Sequence, residues 1–260
     1  VTQDPTKGVA FTCICSFKRP EASINAHSLK VDFESQYASV LDGKSPDDHP
    51  ECPGVDSPYM WEIERKRGWV DKFPGLKTRK VDMARWNEGR PPLERRQLMF
   101  YKVIGGMPSV VEDANLHAVA HLYASDRNGL FTVSMHHSSL AFTVLTKVQI
   151  PNFLDLGDNY MGIASLNHTV ILHQEAEGLA LTDAKTGKPY DFIGEERIDH
   201  IGHGRGLACW RLFREDGAHV ASSFQDGLLR MAAEGQQGNA AAQFDGSGKG
   251  GNARKSDEKL

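Results

Sequence analysis

One helical repeat followed by three β-rich runs restricts this chain more than any other feature. Glu112 and Asp113 supply the acid that a helix dipole favours in a first turn. Leu116, Val119, Ala120 and Tyr123 then recur at i, i+3, i+4 and i+7, which predicts a helix with one apolar stripe. Asn128-Gly129 supplies a natural C-terminal stop. After a stretch of no clear period, 134–157, the run Ile163 to Leu172 alternates. Ile163, Ser165, Asn167, Thr169 and Ile171 share one face; Leu166, His168, Val170 and Leu172 share the other. Strands are also predicted over about 207–213 and 219–231, joined through the hairpin signal Asp216-Gly217. One long helix against an antiparallel meander is an α+β layout.

The first half is less regular. Gly8 to Phe17 reads as a strand, as do Val81 to Trp86 and Arg96 to Ile104. Between the first two, Asp42 to Pro58 is crowded with Asp, Pro and Gly and reads as a loop. From Glu234 to Leu260 the residues are mostly Gln, Gly, Ala, Asn, Ser and Lys, too polar to bury a core, which predicts a disordered tail over 233–260. The remainder divides into 1–108 and 109–232.

The chain has 260 residues and a net charge of -4, which gives no electrostatic reason to expect nucleic acid as a partner. No apolar run reaches the ~18 residues of a membrane span. The four cysteines, Cys13, Cys15, Cys52 and Cys209, are too scattered for a disulfide scaffold and suit a reducing compartment. His136-His137, His200 and His203 suggest a metal, but His200-x-x-His203 does not match a carboxylate-completed ligand set, and no metal is expected; no cofactor is expected either. Cys209 has no histidine fixed beside it by sequence and is not expected to be a nucleophile.

Four blocks in the second half resemble the type II acyl-CoA thioesterase family, whose fold is a double hot-dog. They are Leu116-His117 with Leu122-Tyr123-Ala124-Ser125-Asp126; Ser165-Leu166-Asn167-His168-Thr169 running on to His173; Gly204-Arg205-Gly206-Leu207; and Asp216-Gly217 with Val220-Ala221-Ser222 and Gln225-Asp226-Gly227-Leu228-Leu229-Arg230. Each block alone is weak, but their order and spacing match together. In the first half, Gly8 to Glu21 and Leu93-Glu94-Arg95 are similar to parts of the family's first hot-dog unit, and its first central helix has no counterpart. With the abrupt start at Val1, this implies a first unit that is N-terminally incomplete.

The resemblance implies hydrolysis of fatty acyl-CoA to free acid and CoA, with a water held by an Asp, a hydroxyl residue and a Gln. Carried over residue by residue, the Gln falls on Gln225 and the Asp on Asn167. The hydroxyl position falls on Ile198 or Asp199. An amide is not a general base near pH 7. The expected set is therefore Asn167, Asp199 and Gln225, with the carboxylate moved to a neighbouring strand. The alternatives are a hot-dog tailoring enzyme acting on an acyl thioester or related small molecule in secondary metabolism, or a non-catalytic acyl-CoA binder. His168, on the face opposite Asn167, reads as a satisfied core histidine, and His117 and Asp126 as residues lining an acyl channel or packing the helix. The expected partner is an acyl-CoA or another acyl thioester, and hot-dog sheets that pair edge to edge imply a homo-oligomer. The family's relatives are often peroxisomal. Lys259-Leu260 fits a peroxisomal address and Glu258 does not, which leaves the peroxisome or the cytoplasm.

Overall fold

The computed structural model describes residues 12–17, 27–51, 75–126, 130 and 160–231. Six strands, β1 (Leu76–Lys80), β2 (Gln97–Val103), β3 (Tyr160–Leu172), β4 (Phe192–Gly202), β5 (Arg205–Arg214) and β6 (His219–Met231), form one antiparallel sheet in the order β1-β2-β4-β5-β6-β3. Among the elements described, four α-helices accompany it: α1 (Phe33–Gln36), α2 (Ala38–Leu41), α3 (Ala84–Asn87) and α4 (Ala114–Ser125). The α+β expectation holds, with a hot-dog arrangement of α4 laid on a curved antiparallel sheet. The sheet takes strands from both sides of the boundary expected at residue 108.

Strand alternation puts a core on each face of the sheet. Phe192 and Ile193 are adjacent and point to opposite sides. On the α4 face, Tyr101, Phe192, Trp210, Leu212 and Ala221 pack with Ala124 of the helix. On the other face, Leu98, Ile193 and Phe213 pack with Phe33, Tyr37 and Leu41 of the N-terminal helices. Gly194 makes the first core possible: a Cβ there would overlap the Trp210 indole. Gly194→Ala is expected to destabilise the fold by about 1–3 kcal/mol through overpacking, read as a lowered urea midpoint at unchanged slope.

Glu195 and Glu196 lie in the middle of β4 and are each 1% exposed. Beyond the strand expected to carry Asp199, alternation did not outline β4, because charge hides it. Glu195 sits on the face of the N-terminal helices. It accepts a hydrogen bond from the Tyr37 hydroxyl at 2.7 Å, pairs with Arg211, and has Arg96 Nε at 3.9 Å. The β4–β5 hairpin turns through His203 and Gly204 at φ +52° and +71°, the left-handed pair of a two-residue turn.

Other expectations need correction. Residues 12–17 form no strand, and 8–11 lie outside the described residues. The strand expected at Val81–Trp86 is displaced to Leu76–Lys80, because the Asp82 carboxylate accepts from Ala84 N at 2.9 Å and turns the chain into α3. The helix stop expected at Asn128-Gly129, the irregular stretch 134–157 and the tail 233–260 also lie outside the described residues.

The largest correction concerns α4. Its N-cap is Asp113, which accepts from Leu116 N at 2.9 Å. Most of the expected stripe faces outward: Leu116, Val119 and Tyr123 are exposed, and Ala120 alone is partly buried against the core. The buried face is His117, His121, Ala124 and Ser125. Two histidines are tolerated inside because every ring nitrogen has a partner. His117 Nε2 donates to Pro108 O at 3.0 Å and its Nδ1 accepts from Leu181 N at 3.1 Å. His121 Nε2 donates to Leu179 O at 2.9 Å and its Nδ1 accepts from the Tyr101 hydroxyl at 2.7 Å. These bonds tie the helix to the loop before β4 and to the sheet.

Burial pushes His121 down to about 4, against the hydrogen bond to Leu179. The folded state thus binds this proton less readily than the unfolded chain does. The stabilising contribution is complete above the ordinary value of about 6.5 and is lost as pH falls from there through 4. It amounts to roughly 3 kcal/mol, given 1.36 kcal/mol per pKa unit. His121→Gln is expected to flatten the stability–pH curve across that window, as read by urea unfolding at each pH.

Candidate functional site

Gln225 is the natural starting point, because it is 3% exposed and polar. It lies on β6 with Ala208 of β5 and His168 of β3 as its cross-strand neighbours. Its Nε2 donates to Asp126 Oδ1 at 2.5 Å and to Ser165 Oγ at 2.9 Å. Asp126 is the C-cap of α4, so Gln225 fastens the end of the helix to the far edge of the sheet. Both of its amide protons are used, and its Oε1 is buried with no partner among the described residues.

Ser165 reaches Gln225 only because β3 is irregular. The pairing steps from Ser165↔Gly227 to Asn167↔Asp226, which leaves one extra residue, Leu166, on β3. Such a bulge resets the alternation. Ser165 and His168 therefore share the α4 face, whereas Asn167 lies with Asp226 on the other. The simple alternation expected for 163–172 had put Ser165 with Asn167 and apart from His168. Gly227 sits beside this bulge, where a Cβ would run into the Leu130 side chain and the Ala164 carbonyl.

His168 has a role beyond filling space. Its Nε2 lies 3.2 Å from Ser125 Oγ and 3.2 Å from Ser223 Oγ, and its Nδ1 lies 3.9 Å from Asp126 Oδ1. Burial pushes its pKa below the ordinary value, and the Asp126 charge opposes that only in part. The ring is neutral near pH 7. The result is a polar cluster of Asp126, Ser165, His168, Ser223 and Gln225 on the α4 face.

The three residues expected from sequence do not join this way. Gln225 is in the cluster. Asn167 is exposed on the opposite face. Asp199 sits at a bulge between Ile198 and His200. Its carboxylate accepts from Arg197 Nε at 2.8 Å and Arg197 Nη2 at 3.2 Å, and from Cys209 Sγ at 2.9 Å. Arg197 and Cys209 are cross-strand neighbours on the face away from Gln225. Burial alone would raise the Asp199 carboxyl, but the bonds from Arg197 and Cys209 hold it below its ordinary value. No hydrogen bond links any two of Asn167, Asp199 and Gln225 among the described residues. Cys209 is pushed up to about 12 by burial and by its bond to Asp199, so its thiol is protonated and a poor nucleophile.

Ser165 was missed as a member of the site, since a one-residue bulge leaves no mark in a β-rich run; Asp126, expected to line an acyl channel or pack the helix, joins it from the helix C-cap. A concavity of about 320 Å³ lies near the β1–β2 end and is lined by Asp47, Lys77, Lys102, Lys188 and Asp191. Its Lys77 and Lys102 are paired with Asp47, at 3.3 and 2.8 Å. Among the described residues no group of three or more His, Cys, Asp and Glu side chains is placed to hold a metal ion, and no helix is long and apolar enough to cross a membrane.

Comparison with known proteins adds three findings. The family model described as acyl-CoA thioesterase C-terminal domain matches residues 46–229. No curated protein is similar enough to match. Among solved structures, the acyl-CoA thioesterase II TesB2 from Mycobacterium marinum is 18% identical at a TM-score of 0.45, covering 83% of this chain and 60% of that one. A conserved protein of unknown function with a hot dog fold from Alicyclobacillus acidocaldarius is 13% identical at 0.45, with the same coverage of 83% and 60%. A tesB protein from Mycobacterium avium subs paratuberculosis is 18% identical at 0.37, covering 70% and 54%. The chain thus spans 60% or less of the length of these three structures.

Proposed function

The chain belongs to the acyl-CoA thioesterase C-terminal domain family, and from that premise we propose that it hydrolyses fatty acyl-CoA to free fatty acid and CoA at the cluster around Gln225. The observation that carries this reading is the buried amide of Gln225 bridging Asp126 and Ser165 at the end of α4. Thioester hydrolysis needs a donor for the carbonyl oxygen as it gains charge, and acceptors that orient the attacking water. Ser165 supplies the first. Its Oγ already accepts from Gln225 and donates to no acceptor among the described residues, so its hydroxyl proton can bond a carbonyl oxygen. Asp126 supplies an acceptor: its side chain is 61% exposed, so a bound water can reach it. Gln225 touches neither water nor thioester in this scheme; it holds the two groups that do.

The altered catalytic set expected from sequence is kept in part. Gln225 stays, Asp126 takes the carboxylate's place, and Asp199 serves the opposite face through Arg197 and Cys209. We place the activity in the peroxisome or the cytoplasm; fusing the last dozen residues to a fluorescent reporter distinguishes punctate from diffuse signal. The activity itself is tested by release of free thiol from acyl-CoA substrates of increasing chain length. Binding of CoA thioesters with no thiol released at any chain length would establish a non-catalytic binder instead.

A further inference from the structure

We infer that His168 is the general base of this site, acting through Nδ1 on a water that it shares with Asp126. The inference rests on the proposed hydrolysis and says which group takes the proton that Asn167 cannot.

The Ser125 hydrogen bond favours one tautomer of the ring. The Ser125 hydroxyl donates its proton to Leu122 O at 2.8 Å. Towards His168 it then accepts, which favours the imidazole proton on Nε2, 3.2 Å away; Ser223 Oγ, also 3.2 Å from Nε2, suits that tautomer as a second acceptor. Nδ1 is then a bare lone pair. It faces Asp126 Oδ1 at 3.9 Å, too far for a direct hydrogen bond. Two acceptors at that separation suit a group that carries two protons and sits beside both, which is what a water does. With one O–H aimed at Nδ1 and the other at Oδ1, the water's lone pairs point away from both acceptors towards an incoming carbonyl carbon.

Each step balances. The water oxygen bonds to the thioester carbonyl carbon as one of its protons passes to Nδ1, and the carbonyl π pair moves onto the oxygen that Ser165 donates to. Collapse restores the C=O bond and breaks the C–S bond. The departing CoA sulfur takes the proton back from Nδ1, leaving a carboxylic acid, CoA thiol and a neutral ring. The surroundings suit a base. Among the described residues α4 presents one titratable group to His168, Asp126, while β6 presents the neutral Ser223 and Gln225.

The test is kcat/KM for acyl-CoA hydrolysis between pH 5 and 8, for the unaltered chain, His168→Gln and Asp126→Asn. The unaltered chain is expected to lose activity tenfold per pH unit below one ionisation under 6.5. His168→Gln is expected to lower kcat/KM by roughly 100- to 10,000-fold, the range for a positioned general base, and to remove the acid limb. In Asp126→Asn the limb moves to lower pH, because the charge that favours imidazolium is gone. That shift keeps the inference testable if His168→Gln fails to fold. A His168→Gln protein that keeps the acid limb, or an Asp126→Asn limb that does not move, overturns the assignment while leaving hydrolysis standing. An unaltered chain with no thiol release at any pH overturns the proposed function, and this inference with it.

Discussion

Replacing Gln225 by alanine is expected to lower thiol release from acyl-CoA about 100-fold while leaving the fold intact. The size follows from the geometry. Gln225 donates to both Asp126 and Ser165, and no other described hydrogen bond joins those two side chains. Without it the helix end and the edge strand lose their shared reference, and a misplacement of about 1 Å in a reacting group costs about 100-fold. The stability change is smaller, because Gln225 Oε1 is buried with no partner among the described residues, so its removal takes away no described bond. Gln225→Glu separates geometry from chemistry: it keeps the shape, but sets an acceptor against Asp126 where a donor stood, and is expected to lose activity as well. Asp199→Ala is expected to retain hydrolysis, since Asp199 bonds Arg197 and Cys209 on the other face. Steady-state thiol release for the three variants checks both statements.

The second large effect concerns stability. Arg211→Met is expected to destabilise the fold by about 3–5 kcal/mol, the usual result of stripping the partner from a buried charge. The Glu195 side chain is 0% exposed, and Arg211 is its closest cation; Arg96 stands off at 3.9 Å. The Tyr37 hydroxyl bond at 2.7 Å remains, but a neutral donor does not balance a carboxylate. Burial, followed by the Glu195 charge, pushes the Tyr37 phenol above its ordinary value, so it stays a protonated donor at all working pH. Adding Glu195→Gln to Arg211→Met is expected to recover much of the loss, because the uncompensated charge disappears with its partner. Urea unfolding of the two single variants and the double variant measures the coupling directly. A sum of single effects equal to the double would show that the pair does not interact.

These two cases show where the sequence was readable. β2, β3, β5 and β6 follow from alternation and turn signals, and α4 from its repeat and acidic start, because those patterns are local. The extent of β4 was hidden because Glu195 looks like a solvent-facing residue until Tyr37, 158 positions away, supplies a partner. The orientation of α4 was hidden for a similar reason. His117 and His121 become acceptable core residues only when Pro108, Leu179, Leu181 and Tyr101 meet their ring nitrogens. The site was legible at Gln225 through its family motif. Its other members depend on a single extra residue in β3, and a bulge is a property of strand pairing that one strand's sequence does not display.

The most direct test of the helix-face site is thiol release from acyl-CoA by the unaltered chain beside Gln225→Ala and Asp199→Ala at pH 7.5, across short, medium and long acyl chains. One free thiol per free acid is expected from the unaltered chain and from Asp199→Ala, with the rate down about 100-fold in Gln225→Ala. Loss of activity in Asp199→Ala with retention in Gln225→Ala would contradict it and move the chemistry to the opposite face of the sheet.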